Sequence, residues 1–132
     1  MAIHYRISKR KDNLSDPPVL NYMMQAVSTG EIAVDRLSYE ISSESTLSEV
    51  DVRAVLDALG IKLQQHLSQG KTVTLANVGR FKIGFKSEGK RDQKQLRPQD
   101  ISKFHINYQP SAKLKRWLKH GFELKKKREG RI

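Results

Sequence analysis

No cysteine occurs in the 132 residues. Disulfides, thiolate nucleophiles and cysteine-containing zinc sites are thereby removed together, and a reducing compartment is the expectation. No apolar run approaches the ~20 residues that a membrane-spanning helix needs. The opening Met1-Ala2-Ile3-His4-Tyr5-Arg6-Ile7 has no secretory apolar core. Catalytic signatures are missing too. His4, His66, His105 and His120 are scattered without metal-ligand spacing, and there is no Gly-rich phosphate loop, Gly-x-Ser-x-Gly elbow or His-Glu-x-x-His pair. No metal, cofactor or small-molecule substrate is implied, and an enzyme is not expected. Apolar residues are scarce at 37%, so a core shared between two protomers would help a chain of this size.

Positive charge is what the chain has in quantity, and its placement says more than the net +11. Residues 31–60 hold seven acids against two bases, whereas residues 61–132 hold nineteen bases against five acids. Such polarity suits a chain with one face for a polyanion and another turned away from it. The plainer reading is a basic protein kept soluble by its charge.

Taken in order, Ile3-His4-Tyr5-Arg6-Ile7-Ser8 alternates apolar and polar and predicts a short strand, followed by the basic run Lys9-Arg10-Lys11. Ser15-Asp16-Pro17-Pro18 reads as a turn. Residues 19–27 declare no period and are expected as extended or weakly helical chain over the core; a cofactor contact through Met23 and Met24 rests on residue type alone. A helix begins near Asp35 with Leu37, Ile41 and Val34 as its buried stripe. The next helix has the clearest start: Ser48 as cap, Asp51 at the capping-box position, and Leu47 able to staple onto Val52. Val52, Val55, Leu56, Leu59, Leu63 and Leu67 share its buried face, and Gly70 ends it. Gly60 costs about 1 kcal/mol relative to Ala in mid-helix, which suggests close backbone approach or local repacking.

A basic hairpin follows over residues 71–86. Phe81, Ile83 and Phe85 alternate with Arg80, Lys82 and Lys86, so the pleat sends apolar groups to one face and cations to the other. Residues 87–103, with Lys90, Arg91, Lys94, Arg97 and Lys103, hold few apolar groups and are expected to be mobile until an anion binds. Phe104, Ile106 and Tyr108 alternate inward on a returning strand. Pro110-Ser111 introduces a last helix whose Leu114, Trp117 and Leu118 close the core, with Gly121 as its stop. Phe122 to Lys125 predicts a final edge strand and Lys125-Lys126-Lys127-Arg128 a basic tail.

The helix pair, Thr46-Leu47-Ser48 turn, Gly70-Lys71 break and Val78-Gly79-Arg80-Phe81 corner resemble the histone-like bacterial DNA-binding proteins of the HU and integration host factor family. The likeness resumes at Tyr108-Gln109-Pro110-Ser111 and Lys113-Leu114-Lys115, similar to that family's final strand and closing helix, and covers roughly half of the chain. With its N-terminal segment the chain looks most like the longer HU-like proteins of the Bacteroides group. The resemblance implies an α+β fold: a helical base, a short antiparallel β-sheet and a basic β-arm, with two protomers intertwined. Residues 1–30 are then an N-terminal strand and extended segment, 31–121 the HU-like domain with its arm at 86–103, and 122–132 a basic strand and tail.

By the same likeness the partner is double-stranded DNA, bound architecturally with little base readout by a homodimer of the bacterial nucleoid. Arg80, Lys82, Lys86, Lys90, Arg91, Lys94, Arg97 and Lys103 are the expected phosphate and minor-groove contacts, with Lys113 and Lys115 reaching flanking phosphates. Ala112 stands where the family tends to have lysine, and only Arg97-Pro98 remains of its Gly-Arg-Asn-Pro-x-Thr-Gly arm tip. Pro98 as a DNA wedge therefore competes with Pro98 as a plain loop proline. The rival functions are an RNA-binding or ribosome-associated protein and a structural, partner-binding use of the fold.

Overall fold

The computed structural model describes residues 1–128 and divides them into two compact units, one made of residues 1–33 with 120–128 and the other of residues 34–119. The last four residues of the predicted tail lie outside the described residues.

In the first unit, β1 (Ile3–Asp12) and β2 (Val19–Val27) form a long antiparallel hairpin, and β6 (Leu124–Lys126) lies parallel along the other edge of β1. The strand predicted to stop at Ser8 runs on through the basic residues, because Lys9, Arg10 and Lys11 keep pairing with Tyr22, Asn21 and Leu20. Residues 19–27, expected as extended or weakly helical chain over the core, are a full strand along β1. Asp12 closes the turn by accepting from Leu14 N at 2.9 Å and Ser15 Oγ at 3.0 Å, an Asx-type arrangement that a short carboxylate favours.

The second unit is α1 (Val34–Ser43), α2 (Glu49–Ser68), β3 (Val73–Leu75), β4 (Gly79–Phe85), β5 (Phe104–Pro110) and α3 (Ala112–Leu118). Its sheet is a meander in the order β3-β4-β5. Ser48 Oγ accepts from Asp51 N at 3.1 Å, so the cap forms where the sequence predicts it, and Gly70 follows the helix end at φ +77°. Ser111 repeats the device for α3, accepting from Leu114 N at 3.2 Å.

The core departs from expectation. Only Val52 and Leu67 are buried apolar residues among those described; Leu56, Leu59 and Leu63 are half-buried, and Val55 is exposed. On α1 the fully buried residue is Ser38, while Leu37 remains 42% and Ile41 40% exposed. Trp117 and Leu118 of α3 are also exposed, so α3 does not close the core within one chain. The inward-facing residues of the sheet lie open as well: Ile106 is 62% and Phe104 64% exposed. Apolar groups are segregated to the predicted faces, but one copy of the chain does not cover them.

Candidate nucleic-acid interface

The register of the second sheet decides what its two faces carry. Thr74, Arg80 and Gln109 lie side by side across β3, β4 and β5, Lys82 faces Asn107, and Gly84 faces His105. Val73, Phe81 and Tyr108 make the matching row on the other side, followed by Ile83 with Ile106 and Phe85 with Phe104. The Phe81 and Tyr108 rings stack at 5.1 Å, and Phe85 meets Phe104 edge-on at 6.0 Å. One face is therefore aromatic and aliphatic, and the other holds cations, amides and hydroxyls without a carboxylate. Arg80 and Lys82 border an open groove of about 480 Å³ with Thr72, Asn107, Tyr108 and Gln109. These are donors for phosphate oxygens on a concave surface.

The corner at Gly79 fixes this surface to α3. Tyr108 OH donates to the Val78 carbonyl at 2.8 Å, and Ser111 N donates to the same oxygen at 3.1 Å. Ser111 Oγ donates to Asn77 O at 3.2 Å. These bonds bring Lys115 to a second hollow that it shares with Arg80 and Gln109. Lys113, on the same helix, is exposed and lines neither hollow.

The connection between β4 and β5 is not a β-arm. No strand occurs from residue 86 to 103; two short 3-10 turns, Gln93–Gln95 and Pro98–Asp100, fold it back instead. Leu96, Pro98 and Ile101 border an apolar hollow with Phe85 and Phe104, so this segment does have an apolar anchor. Lys86, Lys90, Arg97 and Lys103 surround a hollow of about 400 Å³, but Glu88 and Asp100 line it too. Lys90 pairs with Glu88 at 3.5 Å, and Arg97 holds Asp100 through two bonds of 3.0 and 3.1 Å. Arg91 and Lys94 are exposed and stand apart from that hollow. Two of the predicted contacts thus have internal carboxylate partners.

His105, Asn107 and Gln109 were absent from the predicted set. The signal for them was present: if Phe104, Ile106 and Tyr108 face inward, the residues between them face the cations. Among the described residues no cluster of three or more His, Cys, Asp or Glu could hold a metal ion. No helix of the described residues is long and apolar enough to cross a membrane.

The family model HU-HIG, described as "HU domain fused to wHTH, Ig, or Glycine-rich motif", matches residues 1–126. No curated protein matches the sequence. Among solved structures, one similar chain comes from Bacteroides vulgatus ATCC 8482 and is described as a candidate bacterial DNA-binding protein. The likeness has a TM-score of 0.65 at 12% identity and covers 98% of this chain. It covers 51% of the other, so this chain spans about half that protein's length. At such low identity the likeness speaks to the fold alone.

Proposed function

The chain belongs to the HU-HIG family, and on that premise we propose that it is a non-catalytic, architectural binder of double-stranded DNA that works as a homodimer in the bacterial cytoplasm and nucleoid. The observation that carries the reading is the carboxylate-free face of β3-β4-β5, where Arg80 and Lys82 stand among Thr74, Asn107 and Gln109. Bonds from such donors to phosphate oxygens carry no base code, so in this reading affinity follows charge rather than sequence.

Dimerisation follows from the opposite face. Phe85, Phe104 and Ile106 are each more than half exposed in one chain, and a contiguous apolar surface of that sort marks an interaction site. A second copy is the occupant the family resemblance supplies, and an intertwined HU-like pair would cover these residues while leaving the cationic faces free. Lys86, Lys90, Arg91, Lys94, Arg97 and Lys103 then add contacts from the folded connection, and Lys113 and Lys115 from α3. Pro98, which borders the apolar hollow, serves as a loop proline rather than a wedge. Residues 31–121 form the DNA-binding domain in this account, flanked by the N-terminal segment 1–30 and the C-terminal strand and tail 122–132.

Competition separates this function from its rivals. Labelled duplex DNA, challenged with unlabelled duplex DNA or duplex RNA near physiological salt, should be displaced more readily by DNA. Preferential displacement by RNA would favour an RNA-binding protein, and failure to retard any nucleic acid would favour a partner-binding use of the fold.

A further inference from the structure

The β2-β1-β6 sheet ends on two different edges. On one side β6 is only three residues long, and two of them are Lys125 and Lys126; the part of β1 that runs past it carries Lys9, Arg10 and Lys11. Short length and lysines keep a sheet edge from pairing with other strands. On the other side lies β2, nine residues without a charge, a proline or a glycine, paired with β1 alone among the described residues. Leu20, Tyr22 and Met24 along it are each more than half exposed. A long apolar edge that lacks such protection is a template for a further strand.

Backbone bonds fix which groups that edge offers. Ile3 N donates to Glu123 O, and Lys127 N donates to Tyr5 O, both at 2.8 Å. Peptide groups alternate sides along a strand, so the odd-numbered residues of β1 bond to β6 and the even-numbered ones to β2. Ser8 is paired with Met23 and Arg10 with Asn21. The odd-numbered residues of β2 therefore bond to β1, and Leu20, Tyr22, Met24 and Ala26 turn their N–H and C=O groups outward.

The side chains select what fits there. Read outward from Met23, the strand has the same chemistry in both directions: Tyr22 and Met24, then the amides Asn21 and Gln25, then Leu20 and Ala26, and a valine at each end. Two copies of β2 laid antiparallel about Met23 place amide opposite amide and apolar opposite apolar at every position, with no like charges opposed. Leu20 meets Ala26 of the second copy and Tyr22 meets Met24, in hydrogen-bonded pairs that supply about eight backbone bonds. A slip of two residues, the smallest that keeps this bonding pattern, sets one amide against Met23 and the other against a valine.

We infer that β2 is a self-association edge: two copies of this chain join antiparallel through Val19–Val27 about a two-fold axis at Met23, making one continuous six-stranded sheet. These residues are separate from Phe85, Phe104 and Ile106, and the inference does not rest on the DNA-binding reading.

The test uses the full chain. Mass alone does not read this edge, because the β3-β4-β5 face already calls for a dimer, whereas position-specific chemistry does. The chain lacks cysteine, so every disulfide in a single-cysteine variant joins two chains. Residue 23 lies on the axis in a non-hydrogen-bonded pair, where Cα atoms stand about 4.5 Å apart and a disulfide can close. Residue 21, on the same face, lies roughly 14 Å from its own mate, beyond disulfide reach. Mild oxidation at micromolar concentration should crosslink Met23→Cys about tenfold faster than Asn21→Cys. In the unsubstituted chain the amides of Tyr22 and Met24 should exchange hydrogen as slowly as the Met23 amide that bonds to β1. Equal oxidation of the two variants, or protection that alternates along β2 with Tyr22 and Met24 open, overturns the inference. Slow exchange at Tyr22 and Met24 without rapid crosslinking at position 23 means that another strand covers the edge, and overturns self-pairing. Duplex binding by the parent enters none of these outcomes, so the proposed function is tested apart from this inference.

Discussion

Tyr108 lies across Gly79. A Cβ at residue 79 would stand 2.7 Å from the Tyr108 ring and 2.2 Å from the Gln109 carbonyl, on a backbone with φ of +151°. The ring can lie there only because residue 79 has no side chain, and its hydroxyl then ties the preceding carbonyl of Val78 to β5. Gly79→Ala should therefore cost about 3 kcal/mol, from strained backbone and a clash with main chain that cannot move aside. Tyr108→Phe removes one bond to an oxygen that Ser111 N also serves and should cost at most about 1 kcal/mol. Thermal denaturation of the two variants checks the ranking; equal midpoints would contradict it.

Ser38 is fully buried on α1, and its hydroxyl has no hydrogen-bond partner. Ser38→Ala removes an unmatched polar group and improves helix propensity at once, so it should stabilise the protein by about 1 kcal/mol. Urea denaturation reads this directly. A loss of stability would mean that the hydroxyl contributes something the packing does not reveal.

The sequence is legible where neighbouring residues make the structure. Ser48 with Asp51, Ser111 with Leu114, and the alternation from Arg80 to Phe85 each settle an element through contacts a few residues apart. Pairing between distant segments is what the sequence hides. Residues 19–27 alternate only in part, Met23 interrupting the pattern of Leu20, Tyr22, Met24 and Ala26 against Asn21 and Gln25, and their pairing with β1 makes them a strand. Leu96 and Ile101 look isolated among charges until Phe85 and Phe104 are brought beneath them. Leu37 and Ile41 have the spacing of a buried stripe, yet the fully buried residue of the helix is Ser38, which apolar spacing alone does not single out. Likewise, cross-strand register explains why His105, Asn107 and Gln109 join the cationic face.

The apolar hollow beneath residues 86–103 gives that segment a testable order. Ile101→Ser should release it, so that trypsin cleaves after Lys90, Arg91 and Lys94 several-fold faster while the melting temperature changes little. Unchanged cleavage would show that the 3-10 turns hold the segment without this anchor.

Pro98 opens the second of those turns, a position where fixed φ helps and the missing N–H costs nothing. Pro98→Ala should leave DNA bending nearly unchanged, read as energy transfer between the labelled ends of a short duplex. A wedge would behave otherwise, since it offsets unstacking by letting bent DNA touch more protein. Large loss of bending with binding intact would restore the wedge.

Sedimentation at micromolar concentration should give a particle of about twice the 15.1 kDa chain mass. A monodisperse monomer would leave Phe104 and Ile106 without the cover that a second copy provides.

Phosphate neutralisation is the centre of the account, and a salt titration of duplex binding tests it most directly. A dimer that engages roughly six to ten phosphates should lose about a thousandfold or more in affinity between 50 and 200 mM salt, with duplexes of unrelated sequence falling together. A shallow salt dependence combined with strong preference for one sequence would contradict it.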